Sequence, residues 1–282
     1  MSTEADAMPP PTVPLRAPLP APPAEAPRPH PRPRGRTAAA AVCLVLGLGL
    51  IAGAAAGTWL ADDPERTAAE AAYERGATLW QSIPVDRLFP PAVHRDAAGP
   101  GGARRDWTRA GVAPDSDCTE AFDPLLATAL APVGCKRLLR ATYTDATSSS
   151  VTTVGLLVTD ADTTGMRALR KRFADERLDE RPDLMPRPYA PQGTAADRFG
   201  VAQRVSWRIT VLTDVPAVAF AVTGFADGRT GTPPQPAAQA VAPGATTAAA
   251  QAGLGHDATA LAEEVERAFR DAAHTPPGEA DR

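Results

Sequence analysis

Apolar positions change their spacing several times along the chain, and each change predicts an element. Val205, Trp207, Ile209 and Val211 alternate with their neighbours, which places all four on one face of a strand. After a turn at Asp214–Pro216, the run Ala217–Phe225 is almost unbroken in apolar character, the pattern of a central strand. Upstream, Arg137–Thr144 and Val151–Thr159 are rich in Thr, Val, Leu and Tyr. Ser148-Ser149-Ser150 separates them, which predicts a hairpin. Met166, Leu169 and Phe173 keep helical spacing and predict a helix over about 163–176. Leu261, Val265, Ala268 and Phe269 do the same for a last helix over about 258–272. A short helix, Leu125–Ala131, opens at Asp123-Pro124 and stops at Pro132 and Gly134. The resulting order, β-β-α-β-β-α, predicts an α+β fold: a four-stranded antiparallel sheet with helices on one face.

The longest apolar run lies ahead of all this. Residues 37–60 carry no charge and end in Trp59-Leu60. As a helix the run would cover roughly 34 Å, enough for a hydrocarbon core of about 30 Å. Arg28, Arg32, Arg34 and Arg36 precede it, while Asp62, Asp63 and Glu65 follow. That asymmetry predicts a single-pass protein of the cell membrane, N-terminus in the cytoplasm and C-terminal domain outside. Ala54-Ala55-Ala56 also fits a small-residue cleavage site, so a removed signal peptide is the competing reading. Gly49, Gly53 and Gly57 share one face of this helix, a spacing that lets two such helices approach closely and self-associate.

These features divide the chain. Residues 1–36 hold 12 Pro and no apolar periodicity, which predicts a disordered cytoplasmic tail. Residues 37–60 are the expected transmembrane helix. Residues 61–103 read as a juxtamembrane helix, opened by Asp62-Asp63-Pro64-Glu65, and a linker containing Pro84, Pro90, Pro91 and Gly99–Gly102. The extracytoplasmic domain is expected over 104–275, with a disordered terminus at 276–282.

Charge removes one class of function. With 29 Lys and Arg against 33 Asp and Glu, the net charge of −4 is not that of a basic nucleic-acid binder. Three Cys are too few for a disulfide-dense scaffold or a four-Cys zinc site. An oxidising environment would join Cys118 to Cys135 as a structural disulfide, and the absence of a CxxC spacing argues against a redox pair.

The chain contains no GxSxG, HExxH, P-loop or GxGxxG, and His30, His94, His256 and His274 fall outside any catalytic spacing. No catalytic residue, metal or cofactor is predicted. Asp160, Asp162, Thr164 and Gly165 imitate the start of a calcium loop, but its twelfth position is Lys171 where a bidentate Glu is needed. The two Asp fit better as helix-capping carboxylates. Asp115-Ser116-Asp117 reads as a turn. Arg167, Arg170, Lys171 and Arg172 form a basic flank that could meet an anionic partner, or simply be solvated beside Asp175, Glu176, Asp179 and Glu180.

The stretches LLRATYTD (138–145), TTVGLLVT (152–159) and TGFADGR (223–229) resemble uncharacterised single-span membrane proteins of high-GC Gram-positive bacteria. The resemblance implies an anchored extracytoplasmic domain and no particular activity. The expected role is a non-enzymatic binding or accessory module of the cell envelope or of a secretion system. Its expected partners are the lipid bilayer, an envelope protein and possible further copies of itself; nucleic acid is not among them. An extracytoplasmic hydrolase with a dispersed active site and a small-ligand-binding domain are the alternatives.

Overall fold

Two strands buried along almost their whole length set the centre of the molecule. The structure, a computed structural model, describes residues 64–275 except 115, 117 and 120. Its strands are β1 (Ala92–Arg95), β2 (Arg105–Val112), β3 (Arg137–Asp145), β4 (Ser150–Val158), β5 (Ser206–Val211), β6 (Ala217–Phe225) and β7 (Gln235–Pro236). Its helices are α1 (Pro64–Thr78), α2 (Val85–Leu88), α3 (Pro124–Leu130), α4 (Thr163–Glu176), α5 (Ala237–Ala240), α6 (Ala248–Gln251) and α7 (Leu254–His274). The sheet runs β1-β2-β3-β4-β6-β5-β7, every neighbouring pair antiparallel except β5–β7.

The central strands explain why both faces are covered. In β6, Ala217, Ala219 and Ala221 point to one face and Val218, Phe220 and Val222 to the other. Small side chains on the first face let α7 sit close, and its buried Ala258, Leu261, Ala262, Val265 and Phe269 recur at helical spacing. On the second face, α3 and α4 bring Leu126, Leu130, Met166, Leu169 and Phe173 against Leu157 and Phe220. Helix α4 starts where Asp162 accepts the Gly165 N–H at 2.7 Å, the capping role its sequence position suggests.

The expected fold class is therefore corrected. The hairpins β3–β4 and β5–β6 are present, but they belong to a seven-stranded mixed sheet with helices on both faces. The extra strands are marginal in pattern. Residues 92–95, in the stretch read as linker, form β1 with only Val93 buried, and in β2 only Trp107 is buried. Neither shows the alternation that identifies a strand.

The single-pass expectation is corrected as well. Among the described residues, no helix is long and apolar enough to cross a membrane. Residues 37–60, on which that expectation rested, lie outside the described residues, as do Gly49, Gly53 and Gly57 of the expected helix-dimer face, the tail 1–36 and the terminus 276–282.

Candidate functional site

Beyond Val112, which faces Ala141, β2 ends. The Ala113 N–H still donates to the Arg140 carbonyl at 2.8 Å and Ser116 bridges Leu138, which leaves the first residues of β3 at a corner of the sheet. Over that corner runs the segment from Leu79 to Phe89, a short 3-10 turn (Leu79–Gln81), Pro84 and then α2. Between segment and strand lies a cleft of about 340 Å³. Ile83, Val85, Leu88, Phe89, Val112 and Leu139 supply apolar walls, and Val85 keeps half of its surface exposed at the rim. Leu79, Trp80, Ile83, Val112 and Leu139 also pack on the core beneath α7, which fixes the walls to the fold.

The polar groups in this cleft are mostly hydrogen-bond donors. The Arg137 guanidinium carbon stands 4.7 Å from the centre of the Trp80 ring, a cation–π arrangement. The Trp80 indole N–H is buried and meets no acceptor among the described residues. A buried donor left without a partner costs on the order of 1–3 kcal/mol, so it favours any acceptor brought to it. Among the described residues, no carboxylate lines the cleft. Arg140, three positions along β3 from Arg137, turns to the opposite face, where its guanidinium lies 5.8 Å from the Tyr189 ring. Burial pushes the Arg140 pKa down, with Tyr189 partly restoring it.

A second polar cluster is closed. The buried Asp257 carboxylate accepts Arg105 Nε at 2.9 Å and Nη2 at 2.7 Å, Trp107 Nε1 at 3.2 Å and Ser150 Oγ at 2.6 Å. Burial pushes the Asp257 carboxyl up, and Arg105 and Ser150 pull it back. Every oxygen is engaged by the protein itself, so the cluster ties α7 to β2 and β4 and has no room for a substrate.

The β1–β2 ladder brings His94 to 2.6 Å from Asp106, a pairing invisible in the sequence because it depends on a strand without a pattern. Hydrogen bonds from His94 and Arg104 hold the Asp106 carboxyl below its ordinary range. Both side chains face solvent, 59% and 37% exposed, with no enclosed site around them.

The remaining sequence candidates fall elsewhere. Cys118 and Cys135 lie at disulfide distance, their Cα atoms 6.2 Å apart. In the basic flank of α4, Lys171 pairs with Asp175 at 2.5 Å and Arg172 with Glu176 at 3.0 Å, one turn away in each case. Arg167 and Arg170 are exposed on the same helix. The structure thus divides the flank into two locally neutralised residues and two open ones. Among the described residues, no group of three His, Cys, Asp or Glu could hold a metal ion. The residues of the cleft carried one signal: Leu79 and Trp80, at the end of the expected juxtamembrane helix, and Ile83, Val85, Leu88 and Phe89, at the start of the expected linker, form a dense apolar cluster.

No protein-family model, curated protein or solved structure matches the chain.

Proposed function

We propose that the chain is a non-enzymatic binding or accessory module whose ligand occupies the cleft between Leu79–Phe89 and the start of β3. The observation that carries this reading is the buried indole N–H of Trp80, without an acceptor among the described residues, set among apolar walls beside Arg137. Apolar walls with a few convergent polar groups are the usual make-up of a small-molecule site. The Trp80 indole donor among apolar walls selects the ligand: an apolar chain or flat body ending in a hydrogen-bond acceptor, such as a carboxylate.

The test titrates the full chain with decanoate and with decanol, read by calorimetry. Decanoate should bind more tightly than decanol, and Trp80→Phe, which keeps the ring and removes the donor, should weaken decanoate binding several-fold. Equal affinities for the two probes, or a Trp80→Phe variant indistinguishable from the parent, would defeat the reading.

A further inference from the structure

The opposite margin of the sheet is incompletely closed. β7 pairs only with Ser206 and Trp207, after which its chain turns into α5 at Ala237. The remaining residues of β5, Arg208–Val211, have β6 on one side and no strand on the other among the described residues. Register fixes which groups face the open side. The Leu212 N–H donates to the Ala217 carbonyl at 3.0 Å, so Thr210 and Arg208 also bond towards β6. Ile209 and Val211 then direct their N–H and C=O groups outward.

Natural sheet edges are commonly blunted by a proline, a bulge or a projecting lysine. Arg208–Val211 has none of these: its pairing with β6 runs without a register shift, and Arg208 turns to Glu263 at 3.3 Å. Beside this edge lies a cleft of about 410 Å³. Asp179 and Glu180 line it together with Ala238 and Ala242; Arg208 lines it too, its charge taken up by Glu263 and Glu266. The Trp207 indole donates to the Asp179 carbonyl at 2.9 Å and anchors the acidic wall to the strand.

The charges there are not balanced equally. Glu180 is held by Arg177 and by Gln239, whereas Asp179 has no ion-pair partner among the described residues. Partial desolvation, with Glu180 beside it, pushes the Asp179 carboxyl up although the residue stays exposed.

We propose that the open half of the β5 edge takes an extended basic segment of a partner protein, added as a strand alongside Ile209 and Val211. Main-chain hydrogen bonds to these two residues supply the affinity common to strand addition. A lysine or arginine reaching the acidic wall supplies the selection.

The experiment presents the full chain with a short labelled peptide alternating valine and lysine, and with its counterpart carrying glutamate for lysine. Anisotropy should show the lysine peptide binding at least about tenfold more tightly than the glutamate one. Amide exchange at Ile209 and Val211 should slow when the lysine peptide is added. Asp179→Lys should abolish the preference, and Ile209→Pro, which removes an outward donor, should abolish binding. The substitution at exposed Asp179 keeps the test decisive whether or not the proline variant folds. Equal affinity for both peptides, unchanged exchange at Ile209 and Val211, or edge-to-edge pairing of two copies would each overturn the proposal. None of these outcomes bears on the Trp80 cleft, which lies at the other margin of the sheet.

Discussion

Phe220 stands directly opposite Gly155 in the β4–β6 ladder, and its ring lies over the space that a side chain at Gly155 would occupy. A Cβ placed on Gly155 would come within 2.3 Å of the ring tip. The ring in turn meets Phe122 edge-on, with centroids 5.3 Å apart. One missing side chain therefore lets an aromatic from the central strand lie flat and reach the segment ahead of α3. Gly155→Ala should force the ring out of this seat and cost about 1–3 kcal/mol, the range for overpacking a filled core. Denaturant unfolding would show it as a lower midpoint with an unchanged slope. A wild-type midpoint would mean that the ring can move freely.

Asp145 organises the turn between β3 and β4 and makes stability depend on pH. Burial pushes its carboxyl up, but the Thr147 hydroxyl, the Ser150 N–H and the hydroxyl and N–H of Ser149 together hold it below the ordinary range. The two N–H contacts are each 2.7 Å. In the unfolded chain the same carboxyl titrates near its usual value of about 3.9. Between the folded and unfolded pKa values the unfolded state binds more protons, so stability rises with pH through that window. The contribution is complete above it and is lost as the pH falls through the folded pKa. Asp145→Asn should therefore cost on the order of 1–3 kcal/mol near neutrality and progressively less below about pH 4. Thermal midpoints of both proteins across the acid range would check this; a gap that stayed constant with pH would contradict it.

How much of this fold could be read beforehand depended on how deeply each element is buried. Strands β3 to β6 and helices α4 and α7 were legible because burial on one or both faces imposes a period on their residues. β1, with one buried residue, and the two-residue β7 pair through their backbones and leave almost no trace in side-chain chemistry. The number of strands was misjudged for that reason. The second layer of helices leaves one trace in the sequence, the unbroken apolar run of β6, whose two faces pack on α7 and on α3 with α4. The cleft was illegible for another reason. Trp80 and Arg137 are 57 positions apart, and only the return of the chain over the start of β3 stacks them.

The Asp257 cluster should be intolerant of losing one member. Arg105 is largely buried, its side chain 18% exposed, and Asp257 is its ion-pair partner. Removing Asp257 leaves an uncompensated cation beneath α7, for which a loss of about 3–5 kcal/mol is expected. Replacing both residues together with leucine and methionine should cost less than Asp257→Ala alone, since no buried charge is then stranded. A double-mutant cycle measured by denaturant unfolding separates the two cases. Additive losses would show that Arg105 finds water or another acceptor when Asp257 is gone.

Cys118 and Cys135 close a loop that contains α3 and ends at the threshold of β3. The sequence separation is 17, for which the chain-entropy account gives about 3 kcal/mol of stabilisation. The two cysteines also line, with Phe122, Leu130 and Leu157, a cavity of about 160 Å³. Without the crosslink, the buried Leu126, Ala129 and Leu130 still hold α3 against the sheet while its flanks are freed, so the loss should appear locally before it appears globally. Reduction, or Cys118→Ala with Cys135→Ala, should speed amide exchange across Pro124–Val133 while β4 and β6 stay protected. The global unfolding midpoint should fall by an amount corresponding to about 3 kcal/mol. Exchange that rises equally in β4 would instead make the crosslink a determinant of the whole sheet, and an unchanged midpoint would show that the unfolded chain is not restrained by it.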